Sequence, residues 1–324
     1  MKQHITRAYN SFAVNDALGT ITKTSKEPRL ADEINYYKLI HSYGGDCSLF
    51  FPRLVSSDSS SEIISGQLEY YAYDNLGDYM VYGSYDQDFW TNVSSRIQSS
   101  LELFSLHTQE IDAPTLRAMY LDKTLHYYKD LVDRFPKFTK LSGKKDIVIN
   151  GHKRRNFDFL WSDVEKIISE TLLDNTRSSI IHGDFCFSNI LCGVNSKTNT
   201  TLLKFVDPRG SFGKRGIYGD PLYDAAKLLH SYEGGYEYII YDQYELKEDD
   251  LNNSYNFSFS NDNISKIAEV FGENTSLKSQ QSKLIEGLIY IGMCSRHYDS
   301  ESRQTIMYLT GLEILNNVLE GKYS

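Results

Sequence analysis

With 324 residues, 40% of them hydrophobic and 24% charged, the chain is globular and long enough for two domains or one bilobal unit. A net charge of -9 and a pI near 5.4 argue against nucleic acid or an anionic membrane as partner and slightly favour a cationic small molecule, although an acidic surface also simply keeps a protein soluble. Cys47, Cys186, Cys192 and Cys294 form no CxxC pair and no metal-spaced cluster with histidine; with no apolar signal core at the start and no run of ~18 apolar residues, reduced thiols in a cytoplasmic protein are expected.

Residues His4 to Val14 and Gly19 to Ser25 alternate as strands do, and Asn15, Asp16 and Gly19 supply the turn of a hairpin. Pro28 then opens a helix over RLADEINYYKLIHSY, with Leu30, Ile34, Tyr37 and Ile40 on one face and Gly44-Gly45 as its stop. Lys23 on the second strand and Glu33 on the helix can pair across that interface, yet Lys26, Glu27 and Asp32 lie close by, and taken alone the group reads first as a solvated surface. Two further strands are expected over Ser48-Val55 and Glu62-Tyr73, separated by an exposed SSDSSS loop.

Near Tyr71-Gly77 the pattern changes from strands to helices, which places a boundary between lobes of residues 1–72 and 73–324. The segment Glu69-Asp74, with Glu69 and Tyr71, reads either as a hinge whose backbone can meet an adenine edge or as a plain connection. Helices are predicted over Gln87-His107, Pro114-Phe135 and Phe157-Leu173, with a hairpin over Asp146-Asn156 turning at Asn150-Gly151. Another helix starts at Tyr223-His230, residues 236–262 read as a two-stranded insertion near the substrate, and amphipathic helices Ser282-Tyr298 and Ser302-Leu319 finish the chain. Arg296 and His297 are read as a helix-end pair, with a substrate contact as the alternative.

The chemistry concentrates between Ile180 and Asp224. Two apolar runs, Ser179-Ile181 and Thr201-Val206, each deliver an aspartate at their end, Asp184 and Asp207, and Asn189 follows Asp184 by five positions. Asp184 can accept a hydroxyl proton, the amide oxygen of Asn189 can bind a metal, and Asp207 can bridge metal to triphosphate, the parts a phosphoryl-transfer site needs. His182 is expected beneath the loop, holding its backbone. Pro208 and Gly210 supply a turn after Asp207, and Arg209 is read as a salt-bridge partner, with a phosphate or acidic substrate group as the alternative. Asp220 and Asp224 read as helix-capping scaffold, Asp220 also able to pin the catalytic loop.

HGDFCFSNIL, FVDPRG and YGDPLYDAAKLL resemble the aminoglycoside phosphotransferase and choline kinase group, with wording similar to phosphotransferase modules of bacterial capsule and surface-glycan biosynthesis. The resemblance implies an α+β, bilobal protein-kinase-like fold with a small antiparallel-sheet N-lobe and a mostly helical C-lobe. It implies ATP- and Mg²⁺-dependent transfer to a hydroxyl of a small molecule, a sugar or glycan precursor first and an amino alcohol such as choline or ethanolamine second. A non-catalytic nucleotide-binding module is the competing reading. By resemblance Asp184 is the base, Asn189 and Asp207 are magnesium ligands, Lys23 holds phosphates and Glu33 orients Lys23. The chain departs from the pattern in lacking a GxGxxG loop, so that any phosphate cover uses Asn10-Ser11 or the Asn15-Gly19 turn. It also lacks an APE segment, which disfavours a protein kinase.

Overall fold

The computed structural model describes residues 10–59, 62–174, 177–195, 197, 200–273 and 277–323. The first predicted strand is described from Asn10 onward; its His4–Tyr9 part, like Ser60 and Ser61 of the serine loop, lies outside the described residues.

Strands β1 (Asn10–Asn15), β2 (Thr20–Ser25), β3 (Leu54–Asp58) and β4 (Ile64–Glu69) form an antiparallel sheet in the order β1-β2-β4-β3. Asn15 closes the first turn by accepting the Leu18 amide, and Gly19 supplies a φ of 60°. Helix α1 (Arg29–Tyr43) packs on this sheet through Leu30, Ile34 and Tyr37. Lys23 pairs with Gly66 across β2 and β4, and a side chain at Gly66 would lie 3.0 Å from Ile34 Cγ1. The glycine therefore lets the helix settle close over the lysine.

The strand expected over Ser48-Val55 is instead a 3₁₀ turn, Gly45–Phe50, followed by β3. Phe50 stacks on Phe205 at 5.1 Å, and Phe51 lies against Phe104 and His182. Partners more than fifty residues away hold both rings, and local alternation does not report them. Ser56–Asp58 continue β3 rather than forming part of the loop.

Beyond Asn75 the chain is largely helical. The helix expected over Pro114-Phe135 is interrupted: Ala113–Arg117 and Lys123–Arg134 are joined by a π-turn at Ala118–Asp122. The Asp146–Ile149 and His152–Arg155 hairpin turns at Asn150 and Gly151, both with positive φ, as expected. Helix Gln280–Met293 packs on helix Glu301–Leu319 where Gly287 meets Leu315 and Gly311 meets Tyr290, side chains at either glycine coming within 3.0 Å of those neighbours.

The 236–262 segment holds the two strands read from its sequence, but its start and its setting differ from that reading. Tyr236–Ile240 is a short helix, and the strands Tyr244–Asp249 and Ser254–Phe259 extend the 146–155 hairpin into a four-stranded sheet, Tyr255 pairing in parallel with Ile149. The insertion is thus built into the helical lobe, and neither strand lines the cleft described below. Helix Asn263–Gly272 was not anticipated. The four cysteines are free and buried, and among the described residues no helix is long and apolar enough to cross a membrane.

Candidate active site

Strand Arg177–Ile180 is held between Thr108–Glu110 and Tyr218–Gly219, and it delivers the loop His182–Asn189. The hairpin Ile190–Asn195/Thr200–Phe205 then carries the chain out and back, with Ile190 opposite Phe205. The amide of Val206 donates to Asn189 O at 2.9 Å, and that of Arg209 donates to His182 O at 2.9 Å. Asp207 is thereby set beside the Asp184–Asn189 loop.

His182 is fully buried and has the structural role expected of it. Its Nδ1 accepts the Asp184 amide at 3.2 Å and its Nε2 lies 2.9 Å from Val206 O, which fixes the neutral tautomer with the proton on Nε2. Burial pushes its pKa down to about 4. The clamp on the loop is Asp224 rather than Asp220: its two carboxylate oxygens accept the amides of His182 at 2.6 Å and Gly183 at 2.8 Å. Asp220 instead caps helix Pro221–Tyr232 through the Leu222 amide and accepts the Tyr120 hydroxyl.

Asp184 Oδ1 lies 2.9 Å from Lys227 Nζ, and Oδ2 lies 3.5 Å from the Arg29 guanidinium. Burial opposes its ionisation, but these two cations, Lys227 foremost, hold the carboxyl well below the usual carboxylate range. Asn189 donates its amide nitrogen to Asp184 O at 2.8 Å, so its amide oxygen is the atom left for a metal.

Lys23 Nζ bridges Glu33 Oε2 at 2.6 Å and Asp207 Oδ1 at 2.7 Å. With Lys23 and Glu33 only 7% and 6% exposed, the solvated-surface reading of this pair is excluded. Burial works against the charge on Lys23, but Asp207 and Glu33 keep it protonated. The Asp207 side chain remains 47% exposed, and its φ is 57°. Two oxygen donors, the Asn189 amide and the Asp207 carboxylate, suit magnesium, which keeps water and phosphate oxygens in its shell rather than a closed protein cage. Among the described residues no three His, Cys, Asp or Glu side chains come together as a metal cage.

Gly210 packs against the start of α1: a β-carbon there would sit 2.1 Å from Asp32 O and 2.9 Å from the Glu33 amide, at a φ of 71°. Gly210→Ala is therefore expected to lower unfolding free energy by about 2–4 kcal/mol, overpacking and the left-handed conformation adding. Chemical denaturation checks this; a loss within error of zero would mean that α1 and the Asp207 turn do not approach as described.

Glu69 and Tyr71 make their contacts elsewhere. The Glu69 amide is engaged with Arg53 O, its carboxylate accepts the Tyr71 hydroxyl at 3.0 Å, and Lys204 lies over the Tyr71 ring.

An open cleft of about 670 Å³, mouth included, begins at Asp184. Arg209, expected as a salt-bridge partner, lines it and enters no ion pair among the described residues. Arg296 and His297 line it too. Sequence reasoning missed Lys227, Arg29 and Lys123 in this wall. For Lys227 a signal existed, a lone lysine among Ala225, Ala226, Leu228 and Leu229, one turn after Asp224.

No family model and no curated protein matches the sequence. Solved structures do match the fold. An aminoglycoside 2'-phosphotransferase-IIIa variant in complex with GDP superposes with a TM-score of 0.54 at 14% identity, covering 98% of this chain and 91% of that one. The streptomycin–ATP ternary complex of APH(2'')-IIa gives 0.50 at 14% identity, over 96% and 88%. Choline kinase LicA from Streptococcus pneumoniae gives 0.50 at 11%, over 97% and 91%. The small antiparallel sheet and the helical remainder thus make up the protein-kinase-like fold that this chain shares with aminoglycoside phosphotransferases and choline kinase.

Proposed function

We propose that the protein is an ATP- and Mg²⁺-dependent phosphotransferase that moves the γ-phosphate to a hydroxyl of a small molecule, a sugar or glycan precursor. The observation that carries this reading is Lys23, which joins Glu33 of α1 to Asp207 from 184 residues away, beside the loop that presents Asp184 to a cleft. In this reading residues 1–72 are the nucleotide lobe and 73–324 the acceptor lobe. Glu33 orients Lys23 toward the phosphates, and the connection from Glu69 to Tyr71 lies along the adenine. Because the Glu69 amide is already engaged in the sheet, the Tyr71 backbone is the better placed of the two to meet the base.

Asn189 and Asp207 would hold magnesium, which supplies charge neutralisation on the triphosphate when bound. Asp184 orients the acceptor hydroxyl and takes its proton as the oxygen attacks phosphorus. Lys227 and Arg29 keep that carboxylate ionised, and Asp224 and His182 hold its backbone. The preference for a sugar rests on the wording of HGDFCFSNIL and FVDPRG, with Tyr127 and Tyr236 in the cleft wall as residues able to meet a hydroxyl-bearing acceptor.

The test is incubation of the full chain with γ-labelled ATP, magnesium and a panel of sugars, sugar acids, sugar phosphates and amino alcohols. A labelled acceptor and ADP are expected, and both disappear on chelation. Saturable ATP binding with no labelled acceptor and no acceptor-stimulated ADP release would sink the catalytic reading in favour of a binding module.

A further inference from the structure

The charged side chains of the cleft wall are Arg29, Lys123, Arg209, Lys227 and Arg296 against one carboxylate, Asp184. This sign is opposite to that of the whole chain, whose net charge is -9. Asp184 is already engaged by Lys227 and Arg29. Arg209 follows Asp207 by two residues and can serve the transferred phosphate. Lys123 has no such duty. It stands on helix Lys123–Arg134, just after the π-turn, and its hydrogen-bond partner is the neutral Tyr223 hydroxyl at 3.3 Å. Half-buried in the wall of the open cleft and without a paired carboxylate among the described residues, this ammonium is placed to take an arriving anion as its countercharge.

The surrounding groups register the excess charge. Burial, then Arg209 and Lys227, push Lys123 down to about 8 despite the tyrosine. Tyr223 goes the same way: burial alone would raise it, but Lys123 first, then Arg209 and Lys227, bring the phenol down to about 8. A cationic acceptor finds no matching chemistry. The ring faces of Tyr223, Tyr236 and Tyr127 are each within 6 Å of a protein cation, namely Lys123 at 5.3 Å, Lys227 at 5.8 Å and Arg296 at 5.5 Å. A quaternary ammonium needs such faces for itself.

We infer that the acceptor is a hydroxyl compound bearing a carboxylate or a phosphate, with Lys123 and Arg296 holding the anion, and that amino alcohols and aminoglycosides are not its substrates. The inference rests on the phosphotransferase reading for the word acceptor, but the anion site itself is testable without turnover. It also reverses the slight preference for a cationic substrate drawn from the overall charge, because the recognising surface carries the opposite sign.

Calorimetry on the full chain without nucleotide compares D-glucuronate, D-glucose 6-phosphate, D-glucose, choline and kanamycin. At least one anionic probe is expected to bind about tenfold or more tightly than glucose, with choline and kanamycin weaker still; the two anionic arms tell a carboxylate site from a phosphate site. In Lys123→Gln and Arg296→Gln that advantage falls about tenfold, whereas Lys123→Arg keeps most of it, which separates lost charge from lost folding. In turnover, the acceptor KM rises in the Gln variants and the KM for ATP stays within about twofold. Anionic probes binding no better than glucose, phosphorylation of choline or kanamycin in preference to sugar acids, or a KM effect on ATP instead of the acceptor would each overturn the inference. Absence of transfer to any acceptor, with anion binding intact, would overturn the phosphotransferase reading alone.

Discussion

Asp184→Asn is expected to lower kcat for phosphoryl transfer by about 10²–10⁴-fold, the usual contribution of a positioned general base, with ATP affinity changed only a few-fold. The amide has the carboxylate's shape and can still accept from Lys227 or Arg29, but it cannot take the hydroxyl proton. Lys227 is buried, with 6% of its side chain exposed, and faces Asp184 at 2.9 Å, so the variant also leaves its ammonium without a countercharge. A stability loss of about 1–3 kcal/mol accompanies the kinetic effect, less than for deleting the partner outright because the amide oxygen remains. Single-turnover transfer measured beside thermal melting separates the two. A kcat within tenfold of the unaltered protein would remove Asp184 from the chemistry.

What the sequence revealed and what it hid divide along a physical line. HGDFCFSN and the following FVD are local: a strand end, a fixed loop length and a second strand end place Asp184, Asn189 and Asp207 within one contiguous stretch. The Lys23-Glu33 pair was legible because strand and helix are successive elements with a short connection. The cleft was not legible. Its wall draws single residues from the 119–127 turn-and-helix, the 209 turn, the 221–232 helix and the 285–297 segment, and no local pattern says that these meet. The same reason explains Tyr236–Ile240. YEYII has the composition of a strand, but Gly235 at a φ of 73° starts a helical turn whose Glu237, Tyr238 and Ile239 are buried, and burial overrode propensity. Helix Asn263–Gly272 was not legible because its polar start, SNDN, reads as a turn that follows directly on the aromatic strand pattern YNFSF.

Asp224→Ala is expected to be the most damaging substitution for the fold of the catalytic loop, and its effect depends on pH in a defined direction. The carboxylate is fully buried and accepts two amides, His182 and Gly183, the second at a φ of 77° where a side chain would meet Arg209. Removing it strands both donors, at about 1–3 kcal/mol each. Burial, reinforced by the nearby Asp184, raises this carboxyl to about 7, although the two amides and Lys227 favour its charged form. In the unfolded chain the group returns to an ordinary aspartate value near 4. Between about pH 4 and 7 the folded protein therefore binds more protons, and the stabilising contribution of Asp224 falls as pH rises through that window. The deficit of the Ala variant should accordingly be a few kcal/mol at pH 5 and clearly smaller at pH 8, as read from urea unfolding of both proteins at each pH. Its kcat should fall at both, since the loop that aims Asp184 loses its anchor. A deficit that is the same at pH 5 and pH 8, or that grows with pH, would show that the clamp titrates differently from its buried geometry.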